Sequence, residues 1–105
     1  MYKEKDKEPT AMTPGEILLT QFMEPNNISQ NKLSREIDVP VGRVNQIIKG
    51  KRAITADTAL RLAKFFGNAA EYWMNLQSSY DLSRARNDMW PKIEPRIHTL
   101  TALQS

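Results

Sequence analysis

The chain contains no cysteine and a single histidine, His98, among 105 residues. Without cysteine there is no disulfide framework, no thiolate metal site and no cysteine nucleophile. One histidine in a proline-flanked stretch offers neither a metal cluster nor a well-placed general base. Glycine is as sparse, its four residues scattered at 15, 42, 50 and 67, so there is no glycine-rich phosphate loop. Glu71 and Asp81 fall on one predicted helix, separated by about 15 Å at 1.5 Å per residue, too far to work as a carboxylate pair. Catalysis, a cofactor and a bound metal are therefore not expected.

Long apolar runs are missing too. No segment approaches the roughly 18–20 apolar residues that span a bilayer, and the opening MYKEKDKEPTAMT lacks the apolar stretch of a signal peptide. A cytoplasmic protein with no membrane partner is expected. Residues 1–11 alternate charges without apolar periodicity and read as a disordered tail. No alternating strand pattern and no internal repeat occur.

What the chain does have is charge of one sign gathered in one place. The net charge is +3 overall. Residues 29–52 hold Lys32, Arg35, Arg43, Lys49, Lys51 and Arg52 against Glu36 and Asp38, while the preceding segment is acidic and residues 53–88 are balanced. An anionic partner is expected at that stretch.

The apolar spacing predicts five helices. Thr13 and Glu16 form a capping box around Pro14, and Ile17, Leu18 and Phe22 give the first helix its apolar face before Pro25 ends it. Asn26-Asn27 reads as a turn and Ser29 as the next N-cap. Leu33 and Ile37 mark a short second helix, broken at Asp38, a residue type that tolerates the left-handed conformation. Pro40 opens a third helix with Val44, Ile47 and Ile48 inward, closed by Gly50. Thr55 caps a fourth with Ala59, Leu60, Leu62, Ala63 and Phe66 as its stripe, ended by Gly67. Asn68 is placed to cap a fifth helix to about Asn87, with Trp73, Leu76 and Tyr80 facing the core. Pro91 and Pro95 leave residues 89–105 as a C-terminal extension of open structure, although Ile93, Ile97 and Leu100 match a helical spacing.

Two short helices joined by a tight break, the second polar on one side, describe a helix-turn-helix. Its exposed positions Val41, Gly42, Arg43, Asn45 and Gln46 suit base edges. Arginine can donate twice to guanine, Asn and Gln can pair with adenine, Val41 can meet a thymine methyl, and Gly42 lets the backbone come close. Around them Ser29, Gln30, Asn31, Lys49, Lys51 and Arg52 are candidate phosphate contacts. Taken singly, Arg43 and Gln46 are equally readable as solvated residues, and Lys49, Lys51 and Arg52 as charges complementing a helix C-terminus. Spacing, break and charge together favour double-stranded DNA.

LSREIDVPVGRVNQIIKGKRAIT resembles the Xre/Cro-type helix-turn-helix, with Asp38 at a turn position where that motif often has Gly or Asn. The wider block, MTPGEILLTQFMEP and ITADTALRLAKFFGNAAEYWMNLQSSYDL, resembles the HigA-type antitoxins of bacterial toxin–antitoxin modules. The resemblance covers about residues 12–88 and implies an all-α, five-helix Xre/Cro-like domain between flexible N- and C-terminal tails. It further implies a cytoplasmic homodimer that represses its own operon and binds a RelE-like, HigB-like ribonuclease toxin. A dimer has independent support, because one recognition helix reads few base pairs and two read half-sites about 34–36 Å apart. Tyr72, Met74, Leu82, Ala85 and Met89, at other angles of the fifth helix, are the candidate dimer contacts. A plain Xre-type regulator without a toxin, or a helical interaction module without DNA binding, are the alternative readings.

Overall fold

Thr13 opens the first helix as its sequence prescribes. Its hydroxyl accepts from Glu16 N (3.0 Å) while the Glu16 carboxylate accepts from Thr13 N (2.9 Å), closing a capping box. The computed structural model describes residues 12–104, and the expected disordered tail at 1–11 lies outside the described residues. All regular elements among them are helical: α1 (Pro14–Ile17), running directly into a π-helical stretch (Leu18–Met23), α2 (Gln30–Glu36), α3 (Val41–Ile48), α4 (Ala56–Phe66), α5 (Ala70–Asp88), α6 (Trp90–Ile93), a 3₁₀ turn (Glu94–Arg96) and α7 (Leu100–Leu103). The contacts divide the chain into two compact units, the first spanning Met12–Tyr80 and the second containing residues 81–104.

The first unit holds the hydrophobic core. Leu18, Met23, Leu33, Ile37, Val44, Ile47, Ile54, Ala59, Leu62, Ala63 and Trp73 are all buried in it. The π-helical stretch was not expected, and it changes which residues of the first helix face inward. Residues five apart lie about 140° away from each other on an α-helix of 3.6 residues per turn. The wider π turn, seen in the bond from Glu24 N to Leu19 O (2.9 Å), brings Leu18 and Met23 to the same buried face. Phe22 remains partly buried beside them. The expected inward stripe of α4 needs one correction: Leu60 is 64% exposed, because it lies about 60° outside the arc set by Ala59, Leu62 and Ala63.

Trp73 is fully enclosed, with Phe22, Tyr72 and Phe66 rings at 4.7, 5.2 and 5.9 Å. Asn68 does not take the capping role expected of it. Its side-chain oxygen accepts from Trp73 Nε1 (2.9 Å), which satisfies the buried indole instead. Gln77, one turn further on, is buried and accepts from Ile54 N (2.8 Å), fixing the loop between α3 and α4. Gln77→Leu leaves that amide without its acceptor and is expected to lower stability by about 1–3 kcal/mol, read from the denaturant midpoint.

In the second unit, Pro91 and Pro95 sit where the sequence allows them, in the first turns of α6 and of the 3₁₀ segment. Thr99 caps α7 through Ala102 N (3.0 Å). The helical spacing noted for Ile93, Ile97 and Leu100 is not one continuous helix, since Ile97 is extended between the two short ones.

Candidate nucleic-acid interface

Three local devices set α2 against α3. Ser29 caps α2 by accepting from Lys32 N (3.0 Å). At its other end Asp38 takes φ of 59°, the left-handed conformation anticipated for that position, and Val39 N returns to Ser34 O (3.0 Å). Arg61 of α4 then donates from Nη1 to both Ile37 O and Asp38 O, each at 2.9 Å, satisfying the carbonyls that the break leaves open. Pro40 stands in extended conformation as the α3 N-cap, and Gly50 at φ of 74° ends that helix with Lys51 N bonded to Gln46 O (2.8 Å).

Gly15 fixes the position of α3 from the other side. A Cβ at Gly15 would lie 1.9 Å from the Ile47 carbonyl oxygen and 2.8 Å from Ile48 Cα. The start of α1 therefore packs backbone to backbone against the end of α3.

The helix so held is strongly one-sided. At roughly 100° per residue, Val41, Asn45, Lys49, Gly42 and Gln46 occupy a continuous arc of about 140°. Val44 and Ile47 point into the core on the opposite side. Val41 is 44% exposed, Gln46 and Lys49 are exposed, and a Cβ at Gly42 would meet nothing within 4 Å. Arg43 lies beyond Gln46 at the edge of that arc and is half-buried. The expected base-contact residues thus share one face apart from Arg43, which flanks it. Ser29, Asn31, Lys49, Lys51 and Arg52 are exposed and Gln30 is half-buried.

Asn45 and Gln46 on this face, and Arg43 beside it, are already engaged with neighbours. Asn45 Nδ2 donates to Gln30 Oε1 (3.1 Å). Gln46 Oε1 accepts from Arg52 Nε (2.9 Å); a guanidinium has no acceptor, so this bond turns the Gln46 amide nitrogen outward as a donor. Arg43 Nη1 donates to Asp57 Oδ2 (2.9 Å), and Asp57 also accepts from Arg61 Nε at 3.1 Å. Arg61's hydrogen bonds, ahead of Arg43's, hold the Asp57 carboxyl below the usual carboxylate range. A depressed folded value means that the stabilisation is complete at neutral pH and is lost as the pH falls through that value.

Sequence reasoning missed Asp57, Arg61, Gly15 and Gln77 as residues that set this site. The i,i+4 spacing of Asp57 and Arg61 was a visible signal of a helical ion pair, yet nothing local tied either to Arg43.

A family model described as helix-turn-helix matches residues 19–73, which takes in α2, α3 and α4. The chain belongs to the helix-turn-helix family. Its domain is of the Xre type, and its structural neighbours include HigA antitoxins. It is similar to an addiction module antidote protein of the HigA family from Coxiella burnetii, with 44% identity and a TM-score of 0.79 over 84% of this chain and 96% of that one. It is likewise similar to the Pseudomonas aeruginosa antitoxin HigA, solved with the higBA promoter, with 40% identity and a TM-score of 0.81 over 85% and 97%. A curated relative, the HTH-type transcriptional regulator YbaQ of Escherichia coli, is 37% identical over 99 residues, covering 93% of this chain and 86% of its own length.

Among the described residues no helix is long and apolar enough to cross a membrane. The five residues expected at a dimer contact, Tyr72, Met74, Leu82, Ala85 and Met89, are each exposed. Tyr72 is also in ring contact with Phe22 and Trp73 (5.8 and 5.2 Å). In the second unit, Leu82, Ala85, Arg86, Met89 and Trp90 line a groove of about 360 Å³.

Proposed function

We propose that this helix-turn-helix protein is an operator-binding antitoxin, which represses its own operon as a homodimer and neutralises a RelE-like, HigB-like ribonuclease toxin in the cytoplasm. The observation that carries the reading is the α3 arc of exposed Val41, Gly42 and Gln46 and half-buried Asn45, flanked by Arg43 and followed by Lys49, Lys51 and Arg52. Arg43, Asn45 and Gln46 contact base edges, with Val41 and Gly42 allowing close approach. Lys49, Lys51, Arg52 and the α2 start at Ser29, Gln30 and Asn31 contact phosphates and set the register. The likeness to an antitoxin solved with its promoter supports the same use of α3 here. Exposed Leu82 and Met89 support a dimer that joins two half-sites.

Arg43→Ala or Gln46→Ala is expected to lose about 1–3 kcal/mol on the operator and to relax base preference. Lys51→Ala is expected to weaken all DNA alike and to flatten the salt slope by about 0.9. Titrations against operator and random duplexes separate the two classes, and equal losses on both DNAs in Gln46→Ala would reject the base-contact assignment.

A regulator without a toxin is the second reading, and its support is the similarity to a relative described as a transcriptional regulator across nearly the whole chain. Co-expression with whatever the reading frame directly upstream encodes decides between them. A stable complex selects the antitoxin, and operator binding with no complex selects the regulator.

A further inference from the structure

Two backbone anchors in the loop between α3 and α4 bring Arg52 to Gln46. Behind the left-handed Gly50, Lys51 N is bonded to the Gln46 carbonyl (2.8 Å), which folds the chain back over the last turn of α3. Two residues beyond Arg52, Ile54 is buried and its N–H is held by Gln77 Oε1 (2.8 Å). Between these points the Arg52 side chain donates from Nε to Gln46 Oε1 (2.9 Å). Nε alone makes this bond, and the two terminal nitrogens of the guanidinium are left for a phosphate.

We propose that Arg52 is a specificity-determining residue acting through Gln46: it fixes the Gln46 amide as a donor towards the bases, so that cytosine is rejected at the pair Gln46 meets. This role rests on the reading of α3 as the base-contacting helix. A glutamine amide that is free to turn over offers DNA either its oxygen or its nitrogen. Arg52 removes that choice. In the turned-over amide, Gln46 Nε2 would face the Arg52 N–H, two donors with no acceptor between them. The amide nitrogen is then the end offered to DNA. In the major groove guanine, adenine and thymine each present an acceptor, whereas cytosine presents only its N4 amino group. A donor that meets that group leaves both unpaired. The discrimination comes from the direction of a hydrogen bond, and it has no counterpart at a phosphate, which only accepts.

Arg52 is a positioning residue, and its signature is a base preference at one pair rather than an affinity. The probe is a duplex from the chain's own upstream region, with each base pair replaced in turn, titrated at low salt. Gln46→Ala first marks the pair at which preference is lost. At that pair wild type is expected to bind cytosine least, by about tenfold against the best base. Arg52→Met keeps the length of the side chain without the donor. It is expected to weaken binding to every duplex, as a lost phosphate contact does, and also to cut the cytosine penalty several-fold at the marked pair alone. Arg52→Glu places a carboxylate oxygen as many bonds from the backbone as Nε. An acceptor there takes the Gln46 N–H and turns the amide oxygen to the DNA, so cytosine is expected to become the preferred base. Arg52 is exposed, and a thermal melt equal to wild type verifies that each variant is folded.

Two results overturn the proposal while leaving α3 as the reading helix. One is wild-type protein that accepts cytosine at the marked pair. The other is a cytosine penalty that stays unchanged in Arg52→Met and Arg52→Glu, which would make Arg52 a phosphate contact alone. If Gln46→Ala alters no base preference, the reading of Gln46 as a base contact fails, and the proposal with it.

Discussion

Gly15→Ala is expected to destabilise the protein by about 3 kcal/mol or more, the upper end of what an added methyl group does in a packed interior. The usual expectation runs the other way, since alanine is favoured over glycine in a helix by about 1 kcal/mol. Here the new Cβ would lie 1.9 Å from Ile47 O and 2.6 Å from Ile47 C, and these are backbone atoms of α3 that no rotamer change can move. Either α1 detaches from α3 or α3 shifts with its reading face. Urea unfolding measures the first outcome as a lowered midpoint, and operator affinity measured on the folded fraction reports the second. A midpoint equal to or above wild type would mean that α1 does not dock where it is described.

Trp73→Ala is expected to have the larger thermodynamic effect, about 3–5 kcal/mol. The side chain is fully buried, touches the rings of Phe22, Phe66 and Tyr72, and has its one donor matched by Asn68. Aromatic pairs of this kind add about 0.5–1.5 kcal/mol each beyond the area they bury. Domains of this size have roughly 5–15 kcal/mol of stability in all, so the variant should melt broadly and near ambient temperature. Trp73→Phe keeps a ring in the cluster and should lose distinctly less. A sharp, near-native melt for Trp73→Ala would place the indole outside the core.

The parts of this fold that were legible in the sequence are those fixed within a few residues. The Thr13–Glu16 capping box, the Ser29 cap, the left-handed Asp38 and the Gly67 helix end each answer to a local backbone requirement, and each stands where the pattern put it. The inward set Leu33, Ile37, Val44, Ile47, Leu62 and Trp73 followed from helical spacing. What was not legible depends on what lies across the interior. Gly15 looks like part of a helix start until α3 is placed against it. Gln77 carries no local sign of the Ile54 N–H that it accepts from across the fold. The π-helical turn left no spacing signal, because Leu18 and Met23 match no α-helical face. At the candidate site, the residue types and the arc of α3 were readable. The partners that hold Arg43, Asn45 and Gln46 in place come from α4, α2 and the loop after α3, at separations of 14, 15 and 6 residues.

The proposed function requires α3 to read base sequence as part of a two-fold dimer. The most direct test titrates a labelled fragment from the chain's upstream region, against random DNA of equal length, at two salt concentrations. Preferential operator binding that survives near-physiological salt is expected, with a footprint of two half-sites about one helical turn apart. Equal binding to both DNAs, lost in parallel as salt rises, would contradict it and leave α3 as a basic surface that does not read sequence.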